Sequence, residues 1–248
     1  MKPRKSPVLL LFVLLIGLNL KPVNASSYTG IQAGQDSCKD SLAQYIQSYV
    51  DAMGFSGTIL VSYKGNIIHH EAYGLAVREW AVPNTLESRY NIASISKPMT
   101  AFIVLKLVEE GKMKLTDPLS LYLPDFPREN GDRITIHQLL THTAGIGHWK
   151  DAPEFELWKE RIPLTRKEMI DCYGKIPLIA EPGKEHIYSS FGYNLLAYAC
   201  ESAAGESFSV LMKKYVFEPA AMKYARMMSE TDIIFNQTVG YEDRRIEG

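Results

Sequence analysis

Part-way along its 248 residues the chain changes apolar period, and that change dictates a segregated fold. Gly57–Tyr63 and Asn66–Tyr73 are β-rich runs closing around Lys64-Gly65, a short turn with the glycine that hairpins favour. Elsewhere the spacing is helical. Ser41–Met53 places Leu42, Tyr45, Ile46, Tyr49 and Val50 at helical intervals and stops at Gly54. Pro98–Glu110, with Phe102, Leu105 and Val108 among its apolar positions, stops at Gly111. Ile136–Thr141 is a short helix, and Thr165-Arg166-Lys167-Glu168 is a capping-box start for another through Cys172. Tyr193–Ala204 and Phe208–Phe217 follow, separated by Gly205. The order predicts an α/β chain of the α+β kind, an antiparallel hairpin packed with a largely helical part.

Charge and export narrow the function classes. The balance of 27 Lys+Arg against 28 Asp+Glu hides an asymmetry, because Met1–Ala25 carries four basic residues and no acid. The remaining chain is therefore acidic, and a nucleic-acid partner is not expected. That first stretch reads as a secretory signal: a basic start, an apolar run from Val8 to Leu20, and small residues Val23 and Ala25 before a cleavage site. The run falls short of the about 20 residues of a bilayer span. The expected product is residues 26–248, secreted or periplasmic, with no stable membrane span after signal cleavage. Cys38, Cys172 and Cys200 allow at most one internal bridge and read as separate, largely buried small residues.

The chemistry concentrates in Ser94-Ile95-Ser96-Lys97, where the strand-like Arg89–Ala93 gives way to a helix. A serine on a first helical turn has unpaired backbone N–H groups around it and the positive end of the macrodipole beneath it. Lysine three residues on lies one turn along the same face, within reach of the serine oxygen. A serine hydroxyl needs a base to take its proton, and a lysine amine serves when burial or neighbouring positive charge lowers its affinity for protons.

The surrounding residues carry a resemblance. Tyr90–Ala101 (YNIASISKPMTA), Leu107–Pro124 (LVEEGKMKLTDPLSLYLP), Ile134–Ile146 (ITIHQLLTHTAGI) and Tyr188–Ala197 (YSSFGYNLLA) stand in the order found in the serine β-lactamase and penicillin-binding-protein superfamily. They most resemble its class C β-lactamase-like branch. The resemblance implies a β-lactamase/transpeptidase-like fold and an exported serine hydrolase without metal or organic cofactor. Its substrates would be β-lactams, D-amino-acid peptides of the cell wall, or esters. Ser94 matches the acylated nucleophile, Lys97 its partner, and Tyr188 the proton-shuttling tyrosine of a Tyr-x-Asn element whose third position is here the substrate-binding candidate Ser190. No Lys-Thr-Gly or His-x-Gly follows Tyr188, so the expectation is a member truncated before its C-terminal strands, with only the hairpin part of the sheet and little turnover. The alternative is a catalytically inactive binding or scaffold module.

Other constellations carry less. His69-His70-Glu71 alternates across a strand and reads as an ordinary one, not a metal site. His142 falls in the HTAG loop, where a structural hydrogen bond is expected, and Trp80, Trp149 and Trp158 read as core or scaffold aromatics. Asn236-Gln237-Thr238 fits the N-glycosylation pattern.

Overall fold

The computed structural model describes residues 32–148, 165–228 and 232–241. The signal stretch, Trp149 and Trp158 lie outside them, as does the Cys38 side chain. The chain resolves into two compact units, Met1–Ser88 and Arg89–Gly248.

The first unit holds helix α1 (Gln32–Met53) and strands β1 (Gly57–Tyr63), β2 (Asn66–Tyr73), β3 (Leu75–Val77) and β4 (Val82–Pro83). β1 and β2 pair antiparallel from Gly57 opposite Tyr73 to Tyr63 opposite Asn66, with a register shift at Val61/Ser62. Their turn needs left-handed backbone at both central positions, Lys64 at φ 50° and Gly65 at φ 80°, which matches the right-handed twist of the strands and is costless only for the glycine. His69 is buried and its Nε2 lies 2.9 Å from the Tyr73 hydroxyl, while His70 points outward, the alternation expected of a strand. On α1, Ile46 is buried, while the Tyr45 and Tyr49 rings meet at a tilt of 52° in solvent. Trp80 does not reach a core: it is 82% exposed beside Ala81, whose φ of 51° turns β3 back on β4.

The second unit is helical and encloses the core. A 3-10 turn (Ala93–Ser96) runs directly into α2 (Lys97–Glu109). Then come α3 (Arg128–Gly131), α4 (Ile136–Leu140), α5 (Arg166–Gly174), α6 (Ser190–Ala204), α7 (Phe208–Met212) and a π-helical turn (Lys213–Phe217). The expected strand at Arg89–Ala93 reduces to one bridge, Arg89 to Gln237, because these residues find no second strand to pair with among those described. The buried stripe of α2 also differs from expectation. Thr100, Ile103, Val104 and Leu107 face α6, whereas Phe102 and Leu105 are exposed. Spacings of three and four from Lys97 put that lysine on the same buried stripe. Opposite it lie Leu195, Leu196, Ala199 and Cys200. Cys172 and Cys200 are free thiols, and burial pushes the Cys200 thiol up to about 12.

Caps set the helix starts. Thr165 accepts from the Glu168 N–H while the Glu168 carboxylate takes the Thr165 N–H at 2.7 Å, and Thr135 with Gln138 repeats the box at α4. Ser189 caps α6 by accepting from the Gly192 N–H at 3.1 Å.

Candidate active site

Every sequence-derived site residue lies in the helical unit, and two structural devices bring them together. The first is the 3-10 turn. Residues three apart eclipse in that geometry, so Lys97 stands directly over Ser94 and its Nζ donates to Ser94 Oγ at 2.9 Å. Asn91 steadies the entry: its Oδ1 accepts from the Ala93 N–H at 2.9 Å, and Ala93 takes the left-handed φ of 44°.

The second device is a strap. Residues 142–148 form a loop held by the segment leading into α6. Gly183 N–H donates to Thr143 O at 2.7 Å, Ile179 N–H to Gly145 O at 2.9 Å, and Ile187 N–H to His142 O at 2.7 Å. Gly145 is obligatory here, since a Cβ would meet Ala180 O at 2.0 Å and φ is 75°. Ser189 closes the strap at both ends: its N–H donates to His142 Nδ1 at 3.1 Å and its buried hydroxyl donates to Gly147 O at 2.9 Å. The strap delivers Tyr188 and Ser190 to the start of α6, facing α2.

At that meeting point Ser94 Oγ lies 2.6 Å from the Tyr188 hydroxyl, and Lys97 Nζ reaches Ser190 Oγ at 3.4 Å. The ammonium also sits over the Tyr188 ring, 5.0 Å from its centroid. Burial pushes the Tyr188 phenol up, but hydrogen bonding to Lys97 and Ser94, the Lys97 charge and Ser190 outweigh it, and the phenol is held below its ordinary value. The His142 imidazole is also held low, first by burial and then by the charges of His186, Lys97 and His148. Ser94 Oγ accepts from Lys97 Nζ, and between the Ser94 and Tyr188 hydroxyls either oxygen can be the donor. Ser94 and Tyr188 remain open to solvent, and a cavity of about 560 Å³ opens beside Ser94 and Lys97, continuing past Ser190, Asn194 and Ala197.

Ser189 and His148 also stand beside these residues, and motif reading did not select them. The signal for Ser189 was its place as the serine before a helix. For His148 there was none, because its meaning depends on the strap.

Two unlike elements, a Ser-x-x-Lys helix start and a tyrosine delivered to it by the strap that leads into α6, define the serine β-lactamase and penicillin-binding-protein class of fold. The chain belongs to the Beta-lactamase family, whose model it matches over residues 42–246. It is 31% identical over 212 residues to the D-alanyl-D-alanine-carboxypeptidase/endopeptidase AmpH of Escherichia coli (strain K12), covering 80% of this chain and 54% of that protein. It is 30% identical over 195 residues to a penicillin-binding protein of Bacillus subtilis (strain 168), covering 76% and 42% respectively. The octameric penicillin-binding protein homologue from Pyrococcus abyssi superposes with a TM-score of 0.67 at 28% identity, covering 82% of this chain and 48% of that one. The chain thus spans about half the length of these relatives.

Proposed function

We propose that this chain carries the acylation machinery of an exported serine hydrolase, forming an acyl-enzyme on Ser94 with β-lactams, D-amino-acid peptides or esters. The observation that supports it is the simultaneous approach of a phenol at 2.6 Å and an amine at 2.9 Å to one exposed serine oxygen. In the reacting form Tyr188 is the phenolate, held by the adjacent Lys97 ammonium, and Ser94 Oγ attacks the substrate carbonyl while its proton passes to that phenolate oxygen. The backbone N–H of Ser94, on the first turn of the helix start, is the donor proposed for the developing oxyanion. Collapse of the tetrahedral adduct breaks the bond to the leaving group, which takes the proton from Tyr188. Water then hydrolyses the ester on Ser94. The basic-then-apolar start before Ser26 supports export to a secreted or periplasmic location.

The test is covalent labelling by a fluorescent penicillin and a fluorophosphonate, read by intact mass. One label per chain is expected, lost in Ser94→Ala and slowed by about 10² or more in Lys97→Ala. A label that survives Ser94→Ala overturns the assignment. Parallel assays with a chromogenic cephalosporin, a D-Ala-D-Ala peptide and a p-nitrophenyl ester sort the substrate class.

A further inference from the structure

Ser190 poses a problem of orientation. Its hydroxyl has one hydrogen, two lone pairs and a freely rotating O–H bond, and Lys97 Nζ at 3.4 Å offers it only donors. To accept from Lys97, the hydroxyl must send its own hydrogen elsewhere. His148 Nε2 lies 3.3 Å from Ser190 Oγ, on the loop that the strap holds. With its proton on Nδ1, the imidazole competes for that hydrogen with the Tyr188 oxygen, whose phenol Ser190 also helps to hold low, and by taking it leaves a Ser190 lone pair for Lys97. The imidazole is itself fixed. It stacks nearly parallel to the Tyr188 ring, with centroids 5.6 Å apart and planes at 16°, and the Ser189 hydroxyl holds the preceding carbonyl, Gly147 O.

We propose that His148 is a positioning residue for the Ser94 site, locking the Ser190 hydroxyl as an acceptor for Lys97 so that the ammonium stays between Ser94 and Ser190. The inference rests on the reading of Ser94 as the acylated serine. His148 reaches the reacting oxygen through Ser190 and Lys97 and through its stack on Tyr188, never directly, so its role is orientation. An asparagine at position 190 would need no such help, because a planar amide presents its oxygen to Lys97 without a rotating hydrogen.

The experiment uses the full chain in four forms: wild type, His148→Ala, Ser190→Asn, and the two substitutions together. Acylation of Ser94 by a fluorescent penicillin should slow about tenfold in His148→Ala, the loss of one hydrogen bond that orients a charged group. In the Ser190→Asn background the same replacement should change the rate less than about twofold, a rescue that a merely structural histidine would not allow. Crystal structures of wild type and His148→Ala read the mechanism without requiring acylation. Ser190 should hold one rotamer within hydrogen-bond distance of Lys97 in wild type and lose it in the variant. If wild type is never labelled, the reading of Ser94 fails while the rotamer comparison still decides the positioning. An unchanged Ser190 rotamer, or an equal slowing in both backgrounds, overturns the role of His148.

Discussion

The helical unit and the strand-bearing unit dispose of their apolar residues in opposite ways. In the first, Ile103, Leu107, Leu119, Ile134, Leu195 and Leu211 are all at 0% exposure. In the second, Leu60 is 51% and Ile67 59% exposed although both lie in well-paired strands, and only Ile46 and Ala76 are buried apolar side chains among the described residues. A helix satisfies its own backbone and needs only one stripe covered, so α2 and α6 complete each other locally. A two-stranded pair satisfies one edge of each strand and leaves both faces and both outer edges to be covered by something else. The candidate active site sits wholly in the unit that closes on itself.

The largest way to break this contrast is a matched pair of truncations. Leu195→Ala should cost about 3 kcal/mol, the transfer and cavity penalty of a fully buried leucine, whereas Leu60→Ala should stay within about 0.5 kcal/mol. Urea unfolding followed by circular dichroism measures both, and equal costs would show that the strand pair is as well covered as the helices. A smaller effect sharpens the helical side. Ser189→Ala removes the cap of α6 and orphans Gly147 O, so a loss of about 1–2 kcal/mol is expected together with slower Ser94 labelling. Unchanged stability would mean that the strap holds without its clasp.

The smallest expected effect is a slope. His142 is held low in the folded chain, so below the unfolded value of about 6.5 unfolding takes up a proton that the folded imidazole refuses. The contribution of this group is therefore whole above about pH 6.5 and is lost as pH falls through the depressed folded value. His142→Asn keeps an acceptor for the Ser189 N–H and tolerates the left-handed φ of 57°. Thermal midpoints of this variant should fall less steeply on acidification than those of wild type. Identical slopes would place the acid sensitivity elsewhere.

The sequence by itself determined what depends on neighbours a few residues apart. The Lys64-Gly65 hairpin, the Thr165 capping box and the Ser94-to-Lys97 spacing were legible because each rests on one turn of backbone. Only the tertiary structure decided the rest. Which stripe of α2 is buried could not be read from its composition, since Phe102 and Leu105 are as apolar as Ile103 and Leu107, and docking on α6 chose between them. Ser94 and Tyr188 stand 94 residues apart, and Ser190 and His148 stand 42 apart, distances in sequence that no local propensity spans. Their meeting depends on α2 packing against α6 and on Ser189 fastening the 142–148 loop. A hydrogen bond of 2.6 Å tolerates far less error than the hydrophobic pattern that assembles the helices, so pattern alone locates the helices and packing alone locates the oxygen atoms.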